Sequence, residues 1–172
     1  MEAMNNLLNR RSVRKYQDKQ VTDELLDQVL TAGLFAPTGM NRQNIVMVAV
    51  RDKETRDQLM RMNAAVMGAQ NDPFYGAPCV IVVLGDPENY PVVENGSLVL
   101  GNLMNAAHAL GLGSCWIHRA KQMFETEEGK MLLRKWGLKD TLVGIGNCIL
   151  GYPDQEHPQM KPRKENYVYY VR

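Results

Sequence analysis

The chain has 172 residues, 45% of them hydrophobic and 23% charged, with a formal net charge of +1. That length suits a single domain with a sizeable core. The near-neutral balance argues against a duplex nucleic-acid binder, whose basic face would dominate the count. The longest apolar run, near Leu98–Leu112, is interrupted by Asn102, Asn105 and His108 and is no membrane span.

In chain order, residues 2–9 predict a short helix that ends at the basic stretch RRSVRK, residues 10–15. VTDELLDQVLTAG predicts a second helix. Thr22 caps it, Asp23 and Glu24 suit its first turn, Leu25, Leu26, Val29 and Leu30 share one face, and Gly33 stands where a terminating glycine is expected. FAPTGMNRQN reads as a polar loop around Pro37 and Gly39. IVMVAV (45–50) predicts a strand, and the next helix starts from the cap Asp52. APCVIVVLGD (77–86) predicts a buried strand. From Val92 to Leu110 runs a long helix, apolar on most faces, which in a domain this small points to a subunit interface. SCWI (114–117) predicts a short strand, TEEGKMLLRKWG a helix between Thr126 and Gly137, and LVGIGNCILGYP (142–153) the last core strand. About four strands and four or five helices imply a three-layer α/β or α+β sandwich. The polar, proline-bearing segment 153–172 is expected to be an extended arm on one domain spanning 1–172. Its β-like end, Tyr167–Val171, needs a sheet edge to pair with.

Three cysteines, no CxxC and apolar flanks predict buried reduced thiols and a cytoplasmic protein, and residues 1–9 carry no apolar signal core. The 11 methionines are expected to fill core and interface gaps. GLGSCW and GIGNCILG lack the correctly spaced third glycine of a dinucleotide fingerprint. The three histidines lack metal-ligand spacing, so no metal site is expected. His108 is expected to be a satisfied core or interface histidine and His157 a solvated one. His118, at a strand end, is a candidate site residue. Two distant basic stretches remain, RRSVR and KPR. With Ser12 they can enclose a phosphate monoester through charge-assisted hydrogen bonds.

The segments RRSVRKYQDKQVTDELLDQVLTAGLFAPTGMNRQN, GAPCVIVVLGD, GNLMNAAHALGLGSCWI, GIGNCILGYP and KPR, in that order, resemble the nitroreductase family of FMN-dependent flavoproteins in its compact branch. The resemblance implies a three-layer α-β-α sandwich around a mixed, largely antiparallel sheet. It also implies a homodimer with cofactors at the interface and a C-terminal tail that reaches the partner. By the same likeness Arg10, Arg11 and Ser12 match the phosphate and ribityl ligands, and Arg14 a cation near the pyrimidine edge. Lys161 and Arg163 match the C-terminal phosphate clamp. Pro37, Thr38, Gly39, Asn41 and Gln43 match the loop laid on the isoalloxazine by the partner subunit, and Gly113 and Ser114 the backbone near the ring. Asn63 and Gln70 are candidates for a contact from the middle segment. Two departures stand out. Asn44-Ile45 replaces a frequent Pro-Trp, and His118-Arg119 follows CWI where many members have a small residue. His118 and Arg119 are therefore possible substrate-side residues, near the expected backbone donor to the flavin.

The implied activity is hydride transfer from NAD(P)H through FMN to an acceptor such as a nitroaromatic or quinone, by a ping-pong route. The chemistry resides on the flavin and demands no catalytic side chain. The alternatives are a specialised flavin reaction, such as reductive dehalogenation or biosynthetic oxidation, and a flavin-binding sensor or carrier without steady turnover. A nucleic-acid module is disfavoured by the charge.

Overall fold

The computed structural model describes residues 2–172. Four strands form one sheet: β1 (Ile45–Val50), β2 (Cys79–Gly85), β3 (Gly113–Ile117) and β4 (Val143–Gly151), in the order β1-β2-β4-β3. The two central strands, β2 and β4, are buried almost throughout. This explains why CVIVVLG reads as an unbroken apolar run and not an alternating one. Every strand pair is antiparallel. The mixed character expected of the sheet shrinks to one isolated parallel bridge, Ser12 to Ser114.

Helices cover both faces. On one side lie α2 (Asp23–Leu34) and α4 (Val92–Ala109), packed through Leu26, Val29, Val99, Leu100 and Leu103. On the other lie α3 (Lys53–Met67), α5 (Ala120–Glu125) and α6 (Glu127–Lys135), packed through Leu59, Met62, Met123, Phe124 and Leu133. With α1 (Ala3–Asn9) there are six α-helices among the described residues, against the four or five expected. The extra one, α5, has six residues and no side-chain cap, so no start signal marks it in the sequence. Thr22, Asp52 and Thr126 cap their helices as expected, each accepting a hydrogen bond from a first-turn N–H.

Gly33 does not terminate α2. The helix continues to Leu34, and Gly33 is buried where a Cβ would come 2.7 Å from Met47 Sδ. Its role is close approach, not a left-handed stop. Beyond Gly151 no named helix or strand follows among the described residues, and Tyr167–Val171 is exposed and unpaired within one chain. No helix is long and apolar enough to cross a membrane among the described residues.

Cys79, Cys115 and Cys148 are free and buried. Burial pushes the Cys79 thiol up to about 12 and the Cys148 thiol higher still. The thiolate is the reactive form, so Cys79 and Cys148 are expected to resist a disulfide reagent at pH 8 in the native protein, as is Cys115 because it is only 3% exposed, and all three are expected to react once it is denatured. Titration with a chromogenic disulfide checks this.

Candidate functional site

The first part of the site is built where the chain leaves α1. The Asn6 amide donates to the Asn105 carbonyl at 2.9 Å and pins α1 to α4. Arg10 closes α1 through its backbone N–H to Asn6 O, then turns to an extended conformation (φ −54, ψ 130). Ser12 bridges Ser114, and the Val13 N–H donates to Ser114 O at 3.0 Å. The approach is close because residue 113 is glycine; a Cβ there would lie 2.8 Å from Val13 Cγ1. Buried Tyr16 holds the segment by donating its hydroxyl to Val13 O at 2.7 Å, and burial raises its phenol far above the ordinary value. The fold thus brings Arg10, Arg11, Ser12, Gly113 and Ser114 together from stretches about a hundred residues apart.

Within that cluster, Arg10 Nη1 is buried and has no hydrogen-bond partner among the described residues. A buried guanidinium N–H without an acceptor is costly, and an anion bound there satisfies it. Arg11 behaves differently. Its Nη1 folds back onto Leu8 O at 2.9 Å and Arg10 O at 2.7 Å. Arg14 is exposed, with its backbone N–H on Gln155 Oε1 at 3.0 Å and its guanidinium 6.0 Å from the Tyr75 ring centroid.

The start of the arm runs along this segment. Asp154 pairs with Lys15 at 2.9 Å, Gln17 Nε2 donates to Pro153 O, and His157 Nε2 lies 2.8 Å from Asn9 O. His157, expected to be simply solvated, stacks on His108 with ring centroids 5.4 Å apart. His108 is not a satisfied histidine, because its Nε2 is buried without a partner among the described residues. Burial, His157, Arg10 and Arg11 together lower its pKa. Lys161 and Arg163 are exposed, and among the described residues no hydrogen bond or ion pair joins them to residues 10–12. His157 anchors the arm beside Arg10, however, and the four residues to Lys161 and six to Arg163 span at most about 14 and 22 Å.

The second part of the site is the loop after α2. It contains the 3-10 turn Gly39–Asn41 and three non-glycine residues with positive φ: Met40 (55), Asn41 (52) and Gln43 (50). Such strain persists only where the surroundings impose it. Here Thr38 Oγ1 accepts from the Gln43 N–H at 3.1 Å, Gln43 Nε2 donates to Asn41 Oδ1 at 3.1 Å, and Pro37 is exposed at the loop's start. Buried Asn95, in the first turn of α4, accepts from the Gly39 N–H at 2.9 Å and donates to Asn44 Oδ1 at 2.9 Å. Asn44, which replaces the resemblance's proline, is therefore part of the loop's support, and Asn95 is a contributor that sequence reasoning missed. A polar residue on an apolar helix face was the available signal. Asn95 and His108 sit near opposite ends of α4, about 20 Å apart along its axis, so one chain does not bring its own loop to its own arginines.

The third part is the turn after β3, about 13 Å along the strand from Ser114. His118 is exposed and Arg119 half-buried at φ 77. Asn63 is wholly buried beneath them and donates to His118 O, so it is engaged inside the protein, while Gln70 is exposed.

The Nitroreductase family model matches residues 7–71 and 62–152 of the chain. A protein of Archaeoglobus fulgidus with the provisional name NADH dehydrogenase/NAD(P)H nitroreductase is 34% identical over 161 residues, covering 90% of this chain and 87% of its own. The FMN reductase [NAD(P)H] of Bacillus subtilis is 27% identical, covering 94% of this chain and 70% of its own. A crystal structure of a nitroreductase with bound FMN from Bacteroides fragilis superposes with a TM-score of 0.91 at 25% identity, covering 100% of both chains.

Proposed function

This chain belongs to the nitroreductase family, and on that premise we propose that it is an FMN-dependent oxidoreductase that draws reducing equivalents from NAD(P)H. The observation that carries the reading is the buried Arg10 Nη1, without a partner among the described residues, beside the paired Ser12 and Ser114, a donor set that suits the cofactor's phosphate. When bound, FMN supplies the hydride chemistry.

The chain's own residues bind and orient. Arg10 and Ser12 would hold the phosphate, with Lys161 and Arg163 closing from the arm and Arg11 contributing less because its guanidinium is already committed to carbonyls. Gly113 and Ser114 start a strand edge along which the cofactor can extend to the turn at His118 and Arg119. Arg14 would place a cation near the ring. The Pro37–Gln43 loop, set at the other end of α4, would come from a second copy of the chain.

That separation is the main support for a homodimer. A two-fold interface built on α4 lays each loop against the other chain's arginines. Leu7 and Leu8 on α1, Phe35 after α2, and Val93 and Leu98 on α4 are exposed apolar side chains that such an interface would cover. In the dimer, Tyr167–Val171 would add to an open edge of the partner's sheet. β1 offers the free one, since Ser12 and Val13 already meet β3. Three buried free thiols suit a reducing, cytoplasmic compartment. The acceptor would be a small molecule such as a nitroaromatic or a quinone, taken up after the oxidised nicotinamide leaves.

The test is direct. The purified protein is expected to be yellow with an oxidised-flavin spectrum that bleaches promptly on anaerobic addition of NADH or NADPH and returns when a quinone is added. Colourless protein that takes up no FMN would sink the reading. A yellow protein that neither nucleotide bleaches would leave only a carrier.

A further inference from the structure

Asn63 sits on the inner face of α3 and is 0% exposed. Its Nδ2 donates to the His118 carbonyl at 2.8 Å and lies 3.2 Å from Met123 Sδ, while its Oδ1 accepts from Arg119 Nε at 3.0 Å. Asn147, also 0% exposed, reaches the preceding carbonyl, Ile117 O, at 3.5 Å. Two buried asparagines therefore hold successive carbonyls of one turn from beneath. In a trans peptide the C=O and the following N–H point in opposite directions. Drawing the Ile117 and His118 carbonyls inward turns the N–H groups of His118 and Arg119 outward, away from the core. Neither N–H has a recorded backbone partner among the described residues. Arg119 pays for this geometry with φ 77, a conformation that a long side chain keeps only under restraint. The restraint is its own guanidinium, pulled back onto Asn63.

We propose that Asn63, locked to Arg119, is a positioning residue of the oxidoreductase site. It fixes the turn so that the outward N–H groups meet acceptor atoms of the flavin ring, and it thereby lowers the midpoint potential of the bound cofactor. This rests on the FMN reading above. An acceptor nitrogen of the oxidised ring takes a hydrogen bond, whereas the same nitrogen carries its own hydrogen after reduction. A fixed donor opposite it therefore favours the oxidised state. Arg119 contributes through the clamp, and Asn63 need not touch the cofactor.

The readout is the two-electron midpoint potential of the holoprotein, measured by equilibrium dye titration, alongside the FMN dissociation constant. Asn63→Ala is expected to weaken binding of oxidised FMN about tenfold more than that of reduced FMN, which raises the potential by ~30 mV. Because Asn63 lies in the core, Arg119→Lys is the second variant. It keeps the cation, removes the guanidinium Nε–H, and is expected to shift the potential in the same direction by less. An unchanged potential in a folded variant, with both redox states weakened equally, or a lowered one overturns the proposal and leaves Asn63 a packing residue. Wild-type protein that takes up no FMN would instead bring down the functional reading on which the proposal rests.

Discussion

Arg10→Ala is expected to purify largely colourless, with its FMN dissociation constant raised roughly 10- to 100-fold. A hydrogen bond between charged partners contributes about 1.5–3 kcal/mol, and each 1.4 kcal/mol is about a factor of ten in affinity. The fold should survive. The partnerless Nη1 leaves no protein acceptor orphaned when it is removed, and the bond that closes α1 uses the Arg10 backbone. Arg163→Ala is expected to act in the same direction, and Arg11→Ala less strongly, because the Arg11 guanidinium already serves the Leu8 and Arg10 carbonyls. Fluorescence titration of the apoproteins with FMN separates the three. If Arg10→Ala and Arg163→Ala both copurify with a full complement of flavin, the phosphate assignment is wrong.

Two inactive variants are expected to rescue each other when mixed. If every site takes arginines from one chain and the loop from its partner, a heterodimer of Arg10→Ala with Asn41→Ala/Gln43→Ala has one site carrying both defects and one intact site. Unfolding and refolding the two together should randomise the pairing. About half the dimers are then mixed, so about a quarter of all sites regain wild-type turnover, as two-fold symmetry requires. A site assembled within one chain predicts no recovery at any mixing ratio. The physical ground is the length of α4. Asn95, which holds the loop through Gly39, and His108, beside the arginines, are about 20 Å apart on a rigid helix.

Much of the fold is legible because its signals are local. Thr22, Asp52 and Thr126 each cap a helix through an N–H only a few residues away, and CVIVVLG declares a buried central strand by its unbroken apolar run. The same locality explains the failures. Gly33 carries the composition of a helix stop, yet its use is set by Met47 and Leu103, which approach from other elements. Six-residue α5 has no cap to announce it. His108 looked like an ordinary core histidine until His157 stacked on it from the far end of the chain.

By itself, the sequence determined the element order, the reduced thiols and the RRSVRK and KPR stretches whose pairing points to a phosphate. These follow from propensity, periodicity and charge within short windows. Only the tertiary structure decided that the Arg10 Nη1 is buried without a partner among the described residues, that loop and arginines stand at opposite ends of one helix, and that Asn63 restrains Arg119. These depend on partners such as Asn63 and His118, 55 residues apart, or Asn95 and Asn44, 51 apart. An asparagine's two hydrogen-bonding groups carry no local trace of which distant backbone the folded chain will bring to them.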